Sequence, residues 1–240
     1  MSKLLSALVG ICLWLIIIGN ALAVDAHTYI PAKAKQVVPI MVVQQRLWFP
    51  EIVAPWYFGG LGEQESCGSL TSPKCYDANA TLASPRELGK GIPQFTKAYR
   101  ADGSIRFDAL TELVRKHDDA LHDLSWSNVS QRVDLQVRGM MLLSRDNYMR
   151  LGYIHDEDER INFMDAAYNG GLGGVIEQRR RCGLMSRCDP QIWFDNVADI
   201  CAKSLKPLYG NRNACQINTE HVALIRHVRM DKYKVFWDGN

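Results

Sequence analysis

A net charge of either sign is what this chain most plainly lacks: 28 Lys and Arg stand against 26 Asp and Glu, a balance of +2. Residues 1–23 hold Lys3 and no acid, so without them the charge falls to about +1, too close to neutral to argue for a nucleic-acid partner. Metal-ligand spacing is missing as well. No Cys-x-x-Cys pair occurs and no His lies within a few residues of a Cys, which argues against zinc. His117 and His122 are five apart, off the i, i+4 geometry of two helical ligands, and with His155, His221 and His227 they read as surface residues. Gly170 to Gly174 is glycine-rich, but no strand precedes it and no Lys-Ser/Thr follows, so a phosphate loop is discounted. Strand signals are few, and there is no internal repeat or low-complexity tract. The expectation is a mainly α domain that needs neither metal nor cofactor.

One long apolar run is present, at the N-terminus. Leu4 to Ile18 is broken only by Ser6 and Gly10, Lys3 precedes it, and Ala21-Leu22-Ala23 supplies a small-x-small cleavage site. The run falls short of the roughly 20 residues that span a bilayer, so residues 1–23 read as a signal peptide, with a retained signal anchor as the alternative. The second reading would associate the protein with the membrane through this segment. Beyond it, residues 24–49 read as an exposed arm and first helix, and residues 50–237 as a single catalytic-sized domain. Cys12 lies in the signal, and six cysteines follow. An even number suits disulfides in an oxidising compartment such as a periplasm or cell envelope. Short loops favour Cys67–Cys75, Cys182–Cys188 and Cys201–Cys215 among the fifteen connectivities that six cysteines permit.

Helical patterning accounts for most of the rest. A first helix runs through Met41 to Gln45, breaks at Pro50 and resumes from Pro55. Phe95 to Tyr99 reads as a short helix, and residues 67–88 as loop. Leu110, Leu113, Val114 and Leu121 mark a helix over 108–124. Ser130 offers an N-cap for one carrying Val133, Val137, Met140, Met141 and Tyr148. Arg160 to Ala167 forms another, stopped by Tyr168-Asn169-Gly170-Gly171. Asp189-Pro190 predicts a helix through Cys201, and Thr219 a cap for a last one carrying Val222, Ile225 and Val228. Arg179-Arg180-Arg181 reads as a solvated helix end, with anionic wall polymers or lipid head groups as the sharper alternative.

The most informative residue is Glu65. Phe58, Leu61 and Glu65 are spaced i, i+3, i+7, so they share one helical face. A carboxyl on an apolar face at the mouth of a cleft is partly desolvated, which favours the neutral acid and suits proton donation. Glu63, two residues earlier, points elsewhere and reads as exposed.

Three short strings occur in order: Glu65-Ser66, then Gly91-Ile92-Pro93-Gln94, then Ala167-Tyr168-Asn169-Gly170-Gly171. Over roughly residues 50–205 this pattern resembles the catalytic domain of soluble lytic transglycosylases, relatives of goose-type lysozyme (glycoside hydrolase family 23). The cysteine-rich form is most similar to the phage or mobile-element branch. In that family a Glu-Ser pair ends a helix, a Gly-Leu-Met-Gln string lines the cleft and Ala-Tyr-Asn-Ala-Gly follows. Here Ile92-Pro93 replaces Leu-Met, Gly170 replaces Ala, and the segment 67–88 is longer than usual.

The resemblance implies a lysozyme-like fold, a monomer and peptidoglycan glycan strands as substrate. Glu65 would protonate the oxygen bridging N-acetylmuramic acid and N-acetylglucosamine, then take a proton from the muramoyl C6 hydroxyl, giving a 1,6-anhydro sugar. Tyr168 would hold Glu65 or the charged sugar. Asn169 and Gln94 would give amide contacts to the substrate, and Ser66 would stand beside the acid, as a hydrogen-bond partner rather than a nucleophile. Two alternatives stay open. With Glu87 or Asp77 as a second carboxylate placing a water, the enzyme would be a hydrolytic muramidase. Without chemistry, it would be a wall-binding or assembly protein. Trp48, Trp56, Trp126 and Trp193 read as core, with a sugar platform as the alternative.

Overall fold

The computed structural model describes residues 24–239. The signal and its cleavage site, with Cys12, lie outside the described residues. The fold is mainly α with one small antiparallel sheet, and no helix among the described residues is long and apolar enough to cross a membrane.

Helix α1 (Ala34–Trp48) begins earlier than Met41, because Ala34, Val37, Val38, Met41 and Val42 form one buried stripe at helical spacing. The exposed arm is therefore shorter than expected, and α1 belongs to the main core. Helix α2 (Tyr57–Ser66) lies at the centre, buried from Tyr57 through Glu63. Three glycines make that possible. A Cβ on Gly59 would sit 2.3 Å from Cγ of Tyr233, and one on Gly60 3.0 Å from the Met230 backbone. On Gly62 it would lie 2.7 Å from Cε of Met41. Glycine lowers helix propensity by about 1 kcal/mol per residue, so these positions trade local preference for close approach. Gly59→Ala is accordingly expected to destabilise the fold by about 1–3 kcal/mol despite the better helix former, read as a lower thermal midpoint. An unchanged or raised midpoint would show that Tyr233 moves aside freely.

The sheet runs in the order β1 (Thr81–Ala83), β2 (Glu87–Lys90), β3 (Phe95–Tyr99) and β4 (Ile105–Asp108), each pair antiparallel. Phe95–Tyr99 is thus a strand, not a helix, and part of the expected 67–88 loop is sheet. Phe95 and Ala98 are buried, a spacing of three that imitates one helical turn. Helix α3 (Ala109–Lys116) starts on Asp108, whose side chain accepts from the Thr111 amide. It breaks at His117 before the single turn α4 (Asp118–Leu121). The next long helix, α5 (Val133–Arg150), starts three residues after Ser130, which lies in a preceding 3₁₀ turn.

Helix α6 (Glu157–Gly170) is capped by Asp156 and ends at Gly171, which has a positive φ of 84°. Helix α7 (Leu172–Cys182) follows at once and carries Arg180 and Arg181 on Glu177. The helix expected after Asp189-Pro190 does not form. Asp189 Oδ1 accepts from the Gln191 amide, the Asp189 amide donates to Asn196 Oδ1, and Asp195 has φ 57°. These local side-chain bonds offer the backbone an alternative to a helix. Helix α8 (Ala214–Leu224) is opened by a capping box of Asn213 and Gln216. Thr219 is inside that helix rather than at its start. One π-helical turn (Ile225–Arg229) and a 3₁₀ segment (Asp231–Phe236) complete the chain.

All three short-loop disulfides are present: Cys67–Cys75, Cys182–Cys188 and Cys201–Cys215. Three disulfides fit an exported, non-cytoplasmic protein.

Candidate active site

A groove of about 760 Å³ runs between the sheet and the helices. Glu65, Gln94, Tyr168 and Asn169 all line it, so three strings spread over a hundred residues converge on one surface. Glu65 occupies the last turn of α2, its side chain 15% exposed. Phe58 and Leu61, on the same face, are fully buried. Just past Glu65, the Cys67–Cys75 disulfide folds the chain back, and the Tyr76 amide donates to Ser66 Oγ at 2.8 Å. Ser66 is buried and donates in turn to the Gly62 carbonyl. It does not line the groove. It closes the end of α2 behind Glu65.

The string 91–94 forms the turn between β2 and β3. Gly91 has φ 78° and Gln94 has φ 50°. The buried Gln136 of α5 accepts from the Ile92 amide at 2.8 Å and anchors the turn. Gln94 folds its amide back onto the Gly91 carbonyl, also at 2.8 Å. Pro93, which has no N–H, contributes its carbonyl: the Tyr168 phenol donates to it at 2.9 Å. Tyr168 is therefore bonded to the β2–β3 turn and not to Glu65. Burial, with the nearby Glu65 charge second, pushes its phenol well above the ordinary range, so it stays a neutral donor. Asn169 is exposed and donates to Asn218 Oδ1 at 2.8 Å. Asn218 also accounts for Gly170, since a Cβ there would come within 2.6 Å of its Nδ2.

Sequence reading placed His221 on the surface. It is buried. Its Nε2 lies 2.8 Å from Glu65 Oε1, and its Nδ1 lies 3.1 Å from Asp165 Oδ2. Asp165, on α6, is buried too and accepts from the Tyr57 phenol at 2.7 Å. Three helices thus supply one hydrogen-bonded row: Tyr57, Asp165, His221, Glu65. Burial disfavours a charge on the imidazole, but Asp165 and then Glu65 outweigh it, and its pKa is pushed up to about 10.

The remaining candidates separate clearly. Glu63 is fully buried, against expectation, and faces Lys232, Arg229 and Tyr233 on the far side of α2. Asp77 pairs with Lys33 and does not line the groove. Glu87 does line it, from β2, where it accepts from the Tyr209 phenol. Trp48, Trp56, Trp126 and Trp193 are not groove residues; Trp193 is fully buried. Aromatic surface comes instead from Tyr99, Phe107 and Tyr209, and positive charge from Arg86, Arg106 and Lys203.

A partly buried carboxyl that lines a groove and has one oxygen held by a histidine ring is suited to moving a proton. No protein-family model matches the chain, and neither curated proteins nor solved structures give a significant match.

Proposed function

We propose that the protein is a lysozyme-like lytic transglycosylase that cuts the glycan strands of peptidoglycan in the cell envelope. The observation that carries this reading is the meeting of Glu65, Gln94, Tyr168 and Asn169 along one groove. A saccharide strand matches such a groove: Tyr99, Phe107 and Tyr209 contribute aromatic surface, and Gln94 and Asn169 contribute amide groups for hydroxyl and N-acetyl groups.

The chemistry requires one carboxyl group. Glu65 gives its proton to the bridging oxygen, the C1–O bond breaks, and the electron pair leaves with that oxygen. The muramoyl C1 becomes oxocarbenium-like. The Glu65 carboxylate then takes the C6 hydroxyl proton, and O6 bonds to C1. No water enters, which separates this route from the two-carboxylate schemes.

Glu87 in the groove supports a second reading, in which it activates a water and the product is a reducing end. Mass spectrometry of glycan released from purified sacculi separates the two. Fragments ending in 1,6-anhydro-muramic acid, about 18 Da lighter than hydrolysed ones through retention of no water, are the expected outcome. Reducing ends alone would assign the hydrolytic route.

A further inference from the structure

The row Tyr57–Asp165–His221–Glu65 is not needed by a lone carboxyl that donates and recovers a proton, yet it buries three ionisable groups beside that carboxyl. Both His221 nitrogens face carboxylate oxygens, at 2.8 and 3.1 Å. A neutral imidazole has one N–H and can donate to only one of them; an imidazolium donates to both. The groups around the ring are Glu65 and Tyr57 from α2 and Asp165 from α6, with Tyr168 next to Glu65; Arg226, after α8, borders the same small cavity as Tyr57 and Asp165 and pairs with Asp158.

We propose that His221 is the positioning residue of Glu65: as an imidazolium anchored by Asp165, it clamps Oε1, leaves Oε2 for the sugar, and stabilises the carboxylate that remains once the proton has left. This rests on Glu65 being the general acid. In the acid-competent state Asp165 is ionised, His221 carries two protons and Glu65 holds one on Oε2. Donation to the bridging oxygen leaves a carboxylate already paired with a cation, so no new charge has to be buried without a partner. The imidazolium does not transfer its proton; it sets the direction and the strength of the acid.

Two measurements on the mature, disulfide-intact chain test the clamp. Nitrogen-15 NMR of the histidine rings in the wild type is expected to find both His221 nitrogens protonated up to at least about pH 8, in line with a pKa near 10. In Asp165→Asn the ring should titrate within about one unit of the ordinary value of about 6.5. A ring that is neutral in the wild type below about pH 7 overturns the proposal, and that readout needs no catalysis.

The second arm is the pH profile of glycan release. His221→Gln keeps a donor within reach of Glu65 but removes the charge, which makes the Glu65 proton harder to lose. The basic limb should therefore move up by about one pH unit, with kcat down at least about tenfold and KM within about twofold. Asp165→Asn should move the limb in the same direction, because it lets His221 discharge. A lower kcat with an unmoved limb means that His221 only supports the fold, and overturns the clamp alone. A wild type that releases no glycan overturns the enzymatic reading instead, and with it the purpose of the clamp.

Discussion

Glu65→Gln is expected to remove clearing of a cell-wall suspension, with the rate down by at least about 10³-fold, while the thermal midpoint stays close to that of the wild type. The size follows from one carboxyl serving twice. General acid–base assistance contributes about 10²–10⁴-fold for a single proton transfer, and in the proposed mechanism both the departure of the bridging oxygen and the activation of the C6 hydroxyl would depend on the same group. The amide is isosteric, and its carbonyl oxygen still accepts from His221 Nε2, so the 2.8 Å bond survives the exchange. Turbidity decay and a circular-dichroism melt, run on the same preparation, check both halves. A variant clearing walls at more than about a tenth of the wild-type rate would mean that Glu65 is not the acid. If wild type and variant clear equally poorly but both pellet with sacculi, the protein is a wall-binding scaffold.

The candidate site was legible to the extent that its groove residues sit in short strings. Glu65-Ser66, Gly91 to Gln94 and Ala167 to Gly171 each pack a groove residue next to the turn or helix end that aims it. The disulfides were legible for a related reason: with separations of 6, 8 and 14 residues, each closes a loop too short to reach other partners easily. His221 was not legible in that way, because its partner Glu65 lies 156 positions away. A weaker signal existed. Asn218, His221 and Val222 are buried together on α8, and Ile161 and Asp165 on one face of α6. A polar residue inside an apolar stripe is buried by its neighbours' periodicity and then needs a partner. The short strands were hidden differently. β1 and β4 are exposed along most of their length, so neither carries the alternation that marks a half-buried strand, and pairing across residues 81–108 decides what local preference leaves open.

Glu63 and Glu65 lie two residues apart on one helix, and the fold gives them opposite tasks, which Glu63→Gln makes measurable. Glu63 has no exposed surface; its Oε2 pairs with Lys232 Nζ at 2.7 Å and accepts from the Tyr233 phenol, and its Oε1 lies 3.3 Å from Arg229. The Lys232 side chain is only 2% exposed. Replacing the carboxylate by an amide keeps the volume but leaves a buried ammonium without its counter-charge. Breaking a buried pair in this way costs about 3–5 kcal/mol. For a domain of this size each kcal/mol moves the midpoint by roughly 2–4 °C, so the melt should shift down by about 6–20 °C. Below that transition the variant should still clear walls at nearly the wild-type rate, because Glu63 faces the C-terminal segment and not the groove. The reverse pattern, a wild-type melt with clearing lost, would reassign the acid to Glu63. Substituting Lys232→Met in the Glu63→Gln background should recover part of the lost midpoint, since the uncompensated cation is then gone. Stability would thus follow one carboxylate of α2 and chemistry the other, a division imposed by which face of the helix each side chain occupies.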